Sequence, residues 1–252
     1  MPPALTLSQI VKDNGYSDVV TILQGKVEEI ELPVPQVDII ISEWMGYFLF
    51  YESMLDTVIY ARDKWLAPGG AIFPDLSTLT VCGIEDAEYR DEKINFWDDV
   101  YGFDFGAIKK LALLEPLVDT VEPRQICTDE ADVCSIDINT MRKEDAHFTS
   151  EFTLTAHRND FVHALVAHFS CTFSACHKPI TFSTSPRHRQ THWKQTVLYL
   201  AEPIAIVKGE ELHGKISCAP NAGNPRDLDI ELVYSINGQR AKVNKIQQFR
   251  MR

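Results

Sequence analysis

Residues 37–43 read VDIIISE, a nearly continuous β-branched run that ends in a carboxylate. Such runs are typical of strands that are buried on both faces, as in a parallel sheet covered by helices. Residues 19–23, VVTIL, have the same character and predict a second strand of this kind. Open α/β sheets bind their ligands at the carboxyl ends of the strands. We therefore expect Glu43 to lie at a ligand-binding edge.

The residues around this run complete an α/β pattern over 1–73. Apolar residues recur at helical spacing over 51–66, and Pro68-Gly69-Gly70 then ends the helix. A short strand is predicted at 71–73, and a helix at 7–14. Three strands are few for a doubly wound sheet, which usually has five or more.

The sequence after residue 73 is typical of an antiparallel β domain, which we expect to form a barrel or sandwich over 74–252. Asn237-Gly238 favours a two-residue hairpin turn, because both residues tolerate a positive φ. An aromatic-rich, helix-like segment at 94–118 interrupts the strands. Strands are predicted at 77–83, 148–156, 164–173, 195–200, 215–218 and 229–235.

The composition is that of a folded globular protein. Of 252 residues, 45% are hydrophobic and 24% are charged, which argues against disorder and coiled coils. The formal net charge of −12 has the wrong sign for direct binding to nucleic acid and suits a cationic partner. No basic leader or long apolar run is present, so neither export nor a membrane is expected.

The six cysteines form no Cys-x-x-Cys pair, which favours a reduced, intracellular compartment. Cys171, Cys176 and His177 lie close to His168 in the sequence and invite comparison with a zinc site. Alternation along a strand sends Cys171 and Cys176 to opposite faces, so four ligands do not converge. We expect no metal site from this group.

Two carboxylates flank an aromatic-rich loop that contains Gly46. Glu43 precedes the loop, and Glu52 follows nine residues later. A loop that reverses at Gly46 could aim both carboxylates into one pocket, where they would suit a guanidinium. The spacing alone is equally consistent with a solvated strand end at Glu43 and a helix-dipole contact at Glu52. A hydrolase with paired carboxylates is a further alternative.

Motifs throughout the chain resemble the type I protein arginine N-methyltransferases, most closely the predominant type I branch. SEWMGY (42–47) and YESMLD (51–56) are similar to the double-glutamate loop of that family, and THWKQT (191–196) to its Thr-His-Trp loop. Further similar segments are GKVEE (25–29), YARDKWLAPGG (60–70), FSTSP (182–186) and RMR (250–252). The resemblance implies part of a Rossmann-like methyltransferase domain over 1–73, then an antiparallel β-barrel domain over 74–252 with a helical dimerisation arm at 94–118.

The resemblance also implies a role for individual residues. Glu43 and Glu52 would hold the substrate guanidinium, and His192 would support them, although a purely structural imidazole remains the alternative. The family's binding site for the methyl donor S-adenosylmethionine matches Val27, Glu28, Met54 and Thr57. The substrate pocket would include Trp193, Met54 and Tyr47, although a methionine in an amphipathic helix is more often a core residue.

Partners and location follow from the same resemblance. The resemblance implies arginine-rich substrates such as histone tails and Gly/Arg-rich RNA-binding proteins, a homodimer as the form found in the family, and a location in nucleus and cytoplasm. The chain contains no Gly-x-Gly turn of the kind that binds the methionine and ribose of the donor. Weak donor binding is therefore expected, and a noncatalytic module that binds substrates or partners is the alternative function.

Overall fold

The computed structural model describes residues 3–252, which form four α-helices, several shorter helical turns and twelve strands. The helices are α1 (Pro3–Asp13), α2 (Leu55–Trp65), α3 (Ala87–Tyr89) and α4 (Gly106–Leu114), with short turns at Arg90–Ile94, Asn95–Asp98, Pro123–Gln125 and Lys143–Ala146. The strands are β1 (Val37–Ile41), β2 (Leu66–Phe73), β3 (Leu76–Ile84), β4 (Leu117–Asp119), β5 (Ile126–Asp137), β6 (Phe148–Thr155), β7 (Asp160–Phe173), β8 (Ile180–Ser183), β9 (Gln195–Ile206), β10 (Glu211–Pro220), β11 (Leu228–Asn237) and β12 (Lys242–Met251).

The first part of the chain contains the predicted parallel strand pair. β1 lies parallel to β2, with Ile40 opposite Ile72, and α2 packs beside them. The prediction that β1 is buried on both faces is wrong, because Ile39 and Ile41 are 54% and 77% exposed. Ile39 and Ile41 lie two residues apart on one face of β1, so this face is open to solvent in the described chain.

The predicted strand at 19–23 does not form. The amides of Val19 and Val20 both donate to the carbonyl of Tyr16, which makes a turn, and Leu23 is largely exposed. A strand is stable only when its backbone groups find partners in a ladder, and none of the described strands pairs with this segment. The helix predicted at 7–14 is confirmed within α1.

Two antiparallel sheets make up the second part of the chain and confirm the predicted all-β fold. One sheet has the order β12-β11-β10-β6, and the other has the order β4-β9-β7-β3-β5, with β8 on β7. Every strand that was predicted after residue 73 is present. An isolated bridge between Thr128 and Ala156 connects the sheets, and their inner faces share one apolar core. In the described chain the barrel is thus built from two sheets without continuous pairing.

The hairpin between β11 and β12 is present, but its turn differs from the prediction. The Gly238 amide donates to the Ala241 carbonyl at 2.9 Å, so Gln239 and Arg240 form the centre of the turn. Asn237 is the last residue of β11 instead. A Cβ atom on Gly238 would lie 2.7 Å from the Glu210 carboxylate, the end of a flexible side chain that could shift to accommodate it.

The segment at 94–118 contains short helical pieces in place of one continuous helix. Asn95–Asp98 forms a single helical turn, and α4 follows after a loop. Tyr101 and Phe103 are 95% and 68% exposed, whereas Leu113 and Leu117 pack against a small second core. The segment therefore presents aromatic side chains to solvent. No helix within residues 3–252 is long and apolar enough to cross a membrane.

Candidate active site

The loop after β1 reverses at Gly46, as predicted. The Gly46 amide donates to the Leu49 carbonyl at 3.0 Å, and Phe48 and Leu49 have positive φ angles of 51° and 66°. A Cβ atom on Gly46 would lie 1.5 Å from the carbonyl oxygen of Tyr51. Only glycine fits at this position without a backbone shift.

Buried apolar side chains hold the same loop against the protein core. Trp44, Phe48 and Leu49 are almost completely buried, whereas Glu43 and Glu52 remain exposed. The chain therefore presents its carboxylates from a rigid apolar base. Such support keeps functional side chains in place.

The Thr-His-Trp loop packs directly on the double-glutamate loop. The indole N–H of Trp193 donates to the Met45 carbonyl at 3.0 Å. The Trp193 ring stacks on Phe182 with a centroid separation of 5.6 Å and meets Phe169 edge-on. The exposed ring of His192 lies 3.9 Å from that of Trp193, so His192 stands at the edge of this aromatic cluster.

A pocket of about 270 Å³ opens between these two loops. Among the described residues that line this pocket, Glu43 is the one charged residue. The atoms that the pocket exposes to solvent are apolar. Because every exposed lining atom is apolar, Glu43 contributes carbon atoms to the wall and its carboxylate oxygens lie outside it, so the pocket suits an alkyl chain. The lining residues are Ile41, Ser42, Glu43, Met45, Phe73, Pro74, Phe173, Phe182 and Trp193.

Glu52 lies in a different pocket, of about 320 Å³. Its Oε1 is 3.2 Å from Arg226 Nη2, and its amide donates to the Arg226 carbonyl at 3.1 Å. Tyr47 lines this second pocket and stacks on Tyr51 at 6.3 Å. The structure thus brings Glu43 together with Trp193, and Glu52 together with Tyr47, instead of placing both carboxylates in one pocket.

Two of the four predicted donor-binding residues touch each other. The Thr57 hydroxyl donates to Glu28 Oε1 at 2.6 Å, and this bond lowers the pKa of Glu28. Val27 lies in the same turn as Glu28 and is half-buried. Met54 is 50% exposed just before α2, and its amide donates to the Trp44 carbonyl. These residues offer a carboxylate acceptor and apolar surface at one end of α2.

Arg226 is a site residue that sequence reasoning missed. It lies in the loop between β10 and β11, far along the chain from Glu52, and no local pattern marks it. The buried Nε1 of Trp44 and Oγ1 of Thr191 were also missed, and neither atom has a hydrogen-bond partner within the part of the chain that the structure describes. Both residues belong to the two loops that meet at the Glu43 pocket.

Comparison with known proteins identifies the family. Residues 75–239 match the family described as the arginine methyltransferase oligomerization subdomain. Protein arginine N-methyltransferase 1 of Chlamydomonas reinhardtii is 62% identical over 97% of this chain and 71% of its own length. The chain belongs to the protein arginine N-methyltransferase family. Protein arginine N-methyltransferase 1.1 of Arabidopsis thaliana is 57% identical, and the chain spans 63% of it.

Solved structures of arginine methyltransferases have the same fold. A chain of the Trypanosoma brucei PRMT1 enzyme-prozyme heterotetrameric complex with AdoHcy superimposes with a TM-score of 0.96 at 50% identity, covering 100% of this chain and 80% of that chain. Arabidopsis thaliana protein arginine methyltransferase 10 gives a TM-score of 0.84 at 25% identity over 98% of this chain and 79% of its own. The resemblance to protein arginine N-methyltransferases and the predicted fold are both confirmed.

Arginine methyltransferases are enzymes that depend on S-adenosylmethionine, and the matched subdomain is named for oligomerisation. The roles of individual residues in this chain remain predictions. Glu43, Glu52 and His192 are predicted to act in catalysis. The predicted donor-binding residues are Val27, Glu28, Met54 and Thr57. The predicted residues of the substrate pocket are Trp193, Met54 and Tyr47.

Proposed function

We propose that this chain methylates arginine side chains as a type I enzyme, giving monomethyl and asymmetric dimethyl arginine in Gly/Arg-rich proteins and histone tails. The observation that carries the proposal is the hydrogen bond from Trp193 to Met45, which joins the two family loops around Glu43. The negative net charge of −12 favours arginine-rich partners.

The chemistry of the Glu43 pocket suits arginine. A guanidinium stays charged at physiological pH and pairs with a carboxylate through two parallel N–H donors. The apolar walls, including Trp193 and Phe182, would pack along the methylene groups of the substrate. Glu52 already binds a guanidinium, that of Arg226, through an exposed ion pair. A substrate guanidinium could replace Arg226 there at small cost, because exposed pairs contribute only about 0–1 kcal/mol.

The residues near α2 fit the adenosine part of the methyl donor. Glu28 offers exposed carboxylate oxygens to hydroxyl or amino groups, and Met54 offers apolar surface. S-adenosylmethionine supplies an electrophilic methyl group when it is bound. The carboxylate of Glu43 would orient a terminal guanidinium nitrogen toward that methyl, and Glu52, once released from Arg226, would stabilise the charge that remains on the guanidinium. His192, exposed beside Trp193, would accept the proton that the methylated nitrogen releases.

A noncatalytic interaction module is the second candidate function. It is favoured by the separation of the two carboxylates, since Arg226 holds Glu52 in a pocket that does not contain Glu43. In this reading the acidic surface binds arginine-rich segments without methyl transfer.

A methylation assay on the full chain separates the two functions. The chain is incubated with S-adenosylmethionine and a Gly/Arg-rich peptide, and the products are identified by mass spectrometry. We expect monomethyl and asymmetric dimethyl arginine, and a rate that is at least about 100-fold lower in Glu52→Gln with unchanged circular dichroism. Glu115→Gln is the control, because Glu115 lines the same pocket outside the family motif. Peptide binding without methylation would favour the interaction module, and symmetric dimethyl arginine would contradict type I activity.

We further propose that the chain divides into two domains between residues 73 and 74. The segment at 94–118 would be an arm that pairs with a second copy of the chain. The protein would be located in the nucleus and cytoplasm. The exposed aromatic side chains of Tyr101 and Phe103 support the pairing. Sedimentation of the chain should give a dimer, and the double variant Tyr101→Ser, Phe103→Ser should shift it to monomer. A wild-type chain that is monomeric at high concentration would contradict the arm's role.

A further inference from the structure

Three potential metal ligands meet on one face of the six-stranded sheet, outside the candidate active site. Cys82 on β3 lies directly opposite Glu130 on β5. His168 on β7 lies opposite Thr80, two residues before Cys82 on the same strand. Because side chains alternate along a strand, Cys82, Thr80, Glu130 and His168 all project from the same face. The nearest ligand atoms of the cysteine, glutamate and histidine lie within 4.8 Å of one another.

His168 supplies an independent indication of a ligand. The residue is 5% exposed, and neither of its ring nitrogens has a hydrogen-bond partner within residues 3–252. Its Nε2 lies 3.5 Å from Glu130 Oε2 without the geometry of a hydrogen bond. Buried polar atoms are nearly always satisfied, and among the described residues this imidazole has only the long contact with the Glu130 carboxylate, which leaves most of its hydrogen-bonding capacity unused.

We propose that Cys82, Glu130 and His168 bind one zinc ion, with water as the fourth ligand. Thiolate, imidazole and carboxylate are the three ligand types that zinc takes in proteins, at about 2.0–2.3 Å from the metal. The observed spacing of the ligand atoms allows such bonds after small rotations of the side chains. The ion would join β3, β5 and β7, and would satisfy the imidazole.

The surroundings of the three residues permit entry and exchange. Cys82 is fully buried, and zinc would displace its thiol proton, which leaves to solvent. The Glu130 side chain is about one-third exposed and provides the route in. Arg187, itself half-exposed, lies 3.4 Å from Glu130 and would move away when zinc binds. Asp132, which accepts a hydrogen bond from Thr80, adds negative charge nearby.

This group differs from the one considered in the sequence. Cys171 faces the other side of the sheet and contacts Ser77 at 3.1 Å. Cys176 lies beyond the end of β7. Of the earlier candidates only His168 belongs to the proposed site.

Cobalt substitution tests the proposal directly. The full chain is stripped of metal with a chelator and titrated with cobalt, and the thiolate-to-cobalt charge-transfer band is recorded. We expect one equivalent to bind with that band, and zinc to abolish it by competition. Cys82→Ala should lose the band, whereas Cys218→Ala, a fully comparable buried cysteine on β10, and Cys176→Ala should keep it. Retention of the band in Cys82→Ala, or no stoichiometric binding by the wild type, would overturn the proposal.

A second variant covers the case in which Cys82→Ala fails to fold. Glu130→Gln keeps the size of a partly exposed side chain and removes the charge that zinc requires. We expect its zinc affinity, measured by competition with a chromogenic chelator, to fall at least about tenfold. Zinc should also raise the melting temperature of the wild type more than that of the variant. An unchanged zinc affinity in Glu130→Gln would show that Glu130 is not a zinc ligand and would overturn the proposed site.

Discussion

The indole nitrogen of Trp193 lies 3.0 Å from the carbonyl oxygen of Met45, a residue that precedes it by 148 positions. This hydrogen bond connects the loop after β1 with the loop before β9, and the Glu43 pocket lies between the two loops. The position of the Trp193 ring is set independently by Phe182 and Phe169. The geometry of the pocket therefore depends on this hydrogen bond together with the aromatic contacts of Trp193.

Replacing Trp193 with phenylalanine should weaken this connection while keeping an aromatic ring. The Met45 carbonyl loses its donor, so we expect the free energy of unfolding to fall by about 0.5–1.5 kcal/mol. Urea denaturation measures the change. Trp97→Phe is the control, because Trp97 packs on Phe96 and Phe105 in the exposed arm. Equal losses in both variants would show that ring size matters and the hydrogen bond does not.

Replacing Gly46 with alanine should damage the fold of the double-glutamate loop. The added Cβ would overlap the Tyr51 carbonyl oxygen, and relief requires a backbone shift. We expect a loss of unfolding free energy of at least about 3 kcal/mol. Gly69→Ala is the control, since Gly69 has a φ of 80° with no atom near its would-be Cβ. The Gly69→Ala variant should lose only about 1–2 kcal/mol of unfolding free energy. A loss of the same size in Gly46→Ala would contradict the steric argument.

Removing Arg226 should release Glu52 for a substrate guanidinium. The ion pair is exposed, so Arg226→Ala should change the unfolding free energy by less than about 1 kcal/mol. The dissociation constant of a Gly/Arg-rich peptide should fall about two- to fivefold, as expected when a competing contact of this size is lost. Arg250→Ala, in the same pocket but paired with Asp229, should leave peptide affinity unchanged. Weaker binding by Arg226→Ala would mean that Arg226 itself supports the substrate.

The contact between Thr57 and Glu28 should make stability depend on pH. This hydrogen bond lowers the pKa of Glu28 below its ordinary value of 4.5. Its contribution is therefore present above the carboxyl range and is lost as the pH falls through the lowered pKa. Thr57→Val should lower the unfolding free energy at neutral pH by less than about 1 kcal/mol, because the pair is exposed.

Chemical denaturation of Thr57→Val at neutral pH and below the carboxyl range gives the test. The difference from wild type should disappear in acid. Thr140→Val is the matched control, since the exposed Thr140 hydroxyl faces only a backbone carbonyl, at 3.5 Å. A loss at Thr57 that persists in acid would show that the carboxylate is not the partner that matters.

Features that depend on neighbours in the sequence could be predicted. The alternation in β11, the β-branched run in β1 and the glycine at the loop reversal all act over a few residues. Hydrophobic periodicity and backbone sterics are local properties, so these elements were found without the structure.

Features that depend on residues far apart in the sequence could not be predicted. The 19–23 segment has strand composition, yet it lacks a ladder partner among the described strands, and composition does not reveal partners. The Glu210 carboxylate accepts a hydrogen bond from the Gln239 amide at 2.6 Å, although Glu210 belongs to another hairpin. Arg226 reaches Glu52 from the β10–β11 loop. Each contact joins residues that the topology brings together.

The Glu43 pocket should bind a guanidinium, and calorimetric titration of the full chain with a Gly/Arg-rich peptide tests this most directly. We expect binding by the wild type, and an affinity at least about tenfold lower for the same peptide with lysine in place of arginine, because lysine lacks the planar fork. Glu43→Gln should lose a similar amount, whereas Glu92→Gln, an exposed carboxylate in the turn before the arm, should bind as the wild type does. Equal affinity for the lysine peptide, or unchanged binding by Glu43→Gln, would contradict the account.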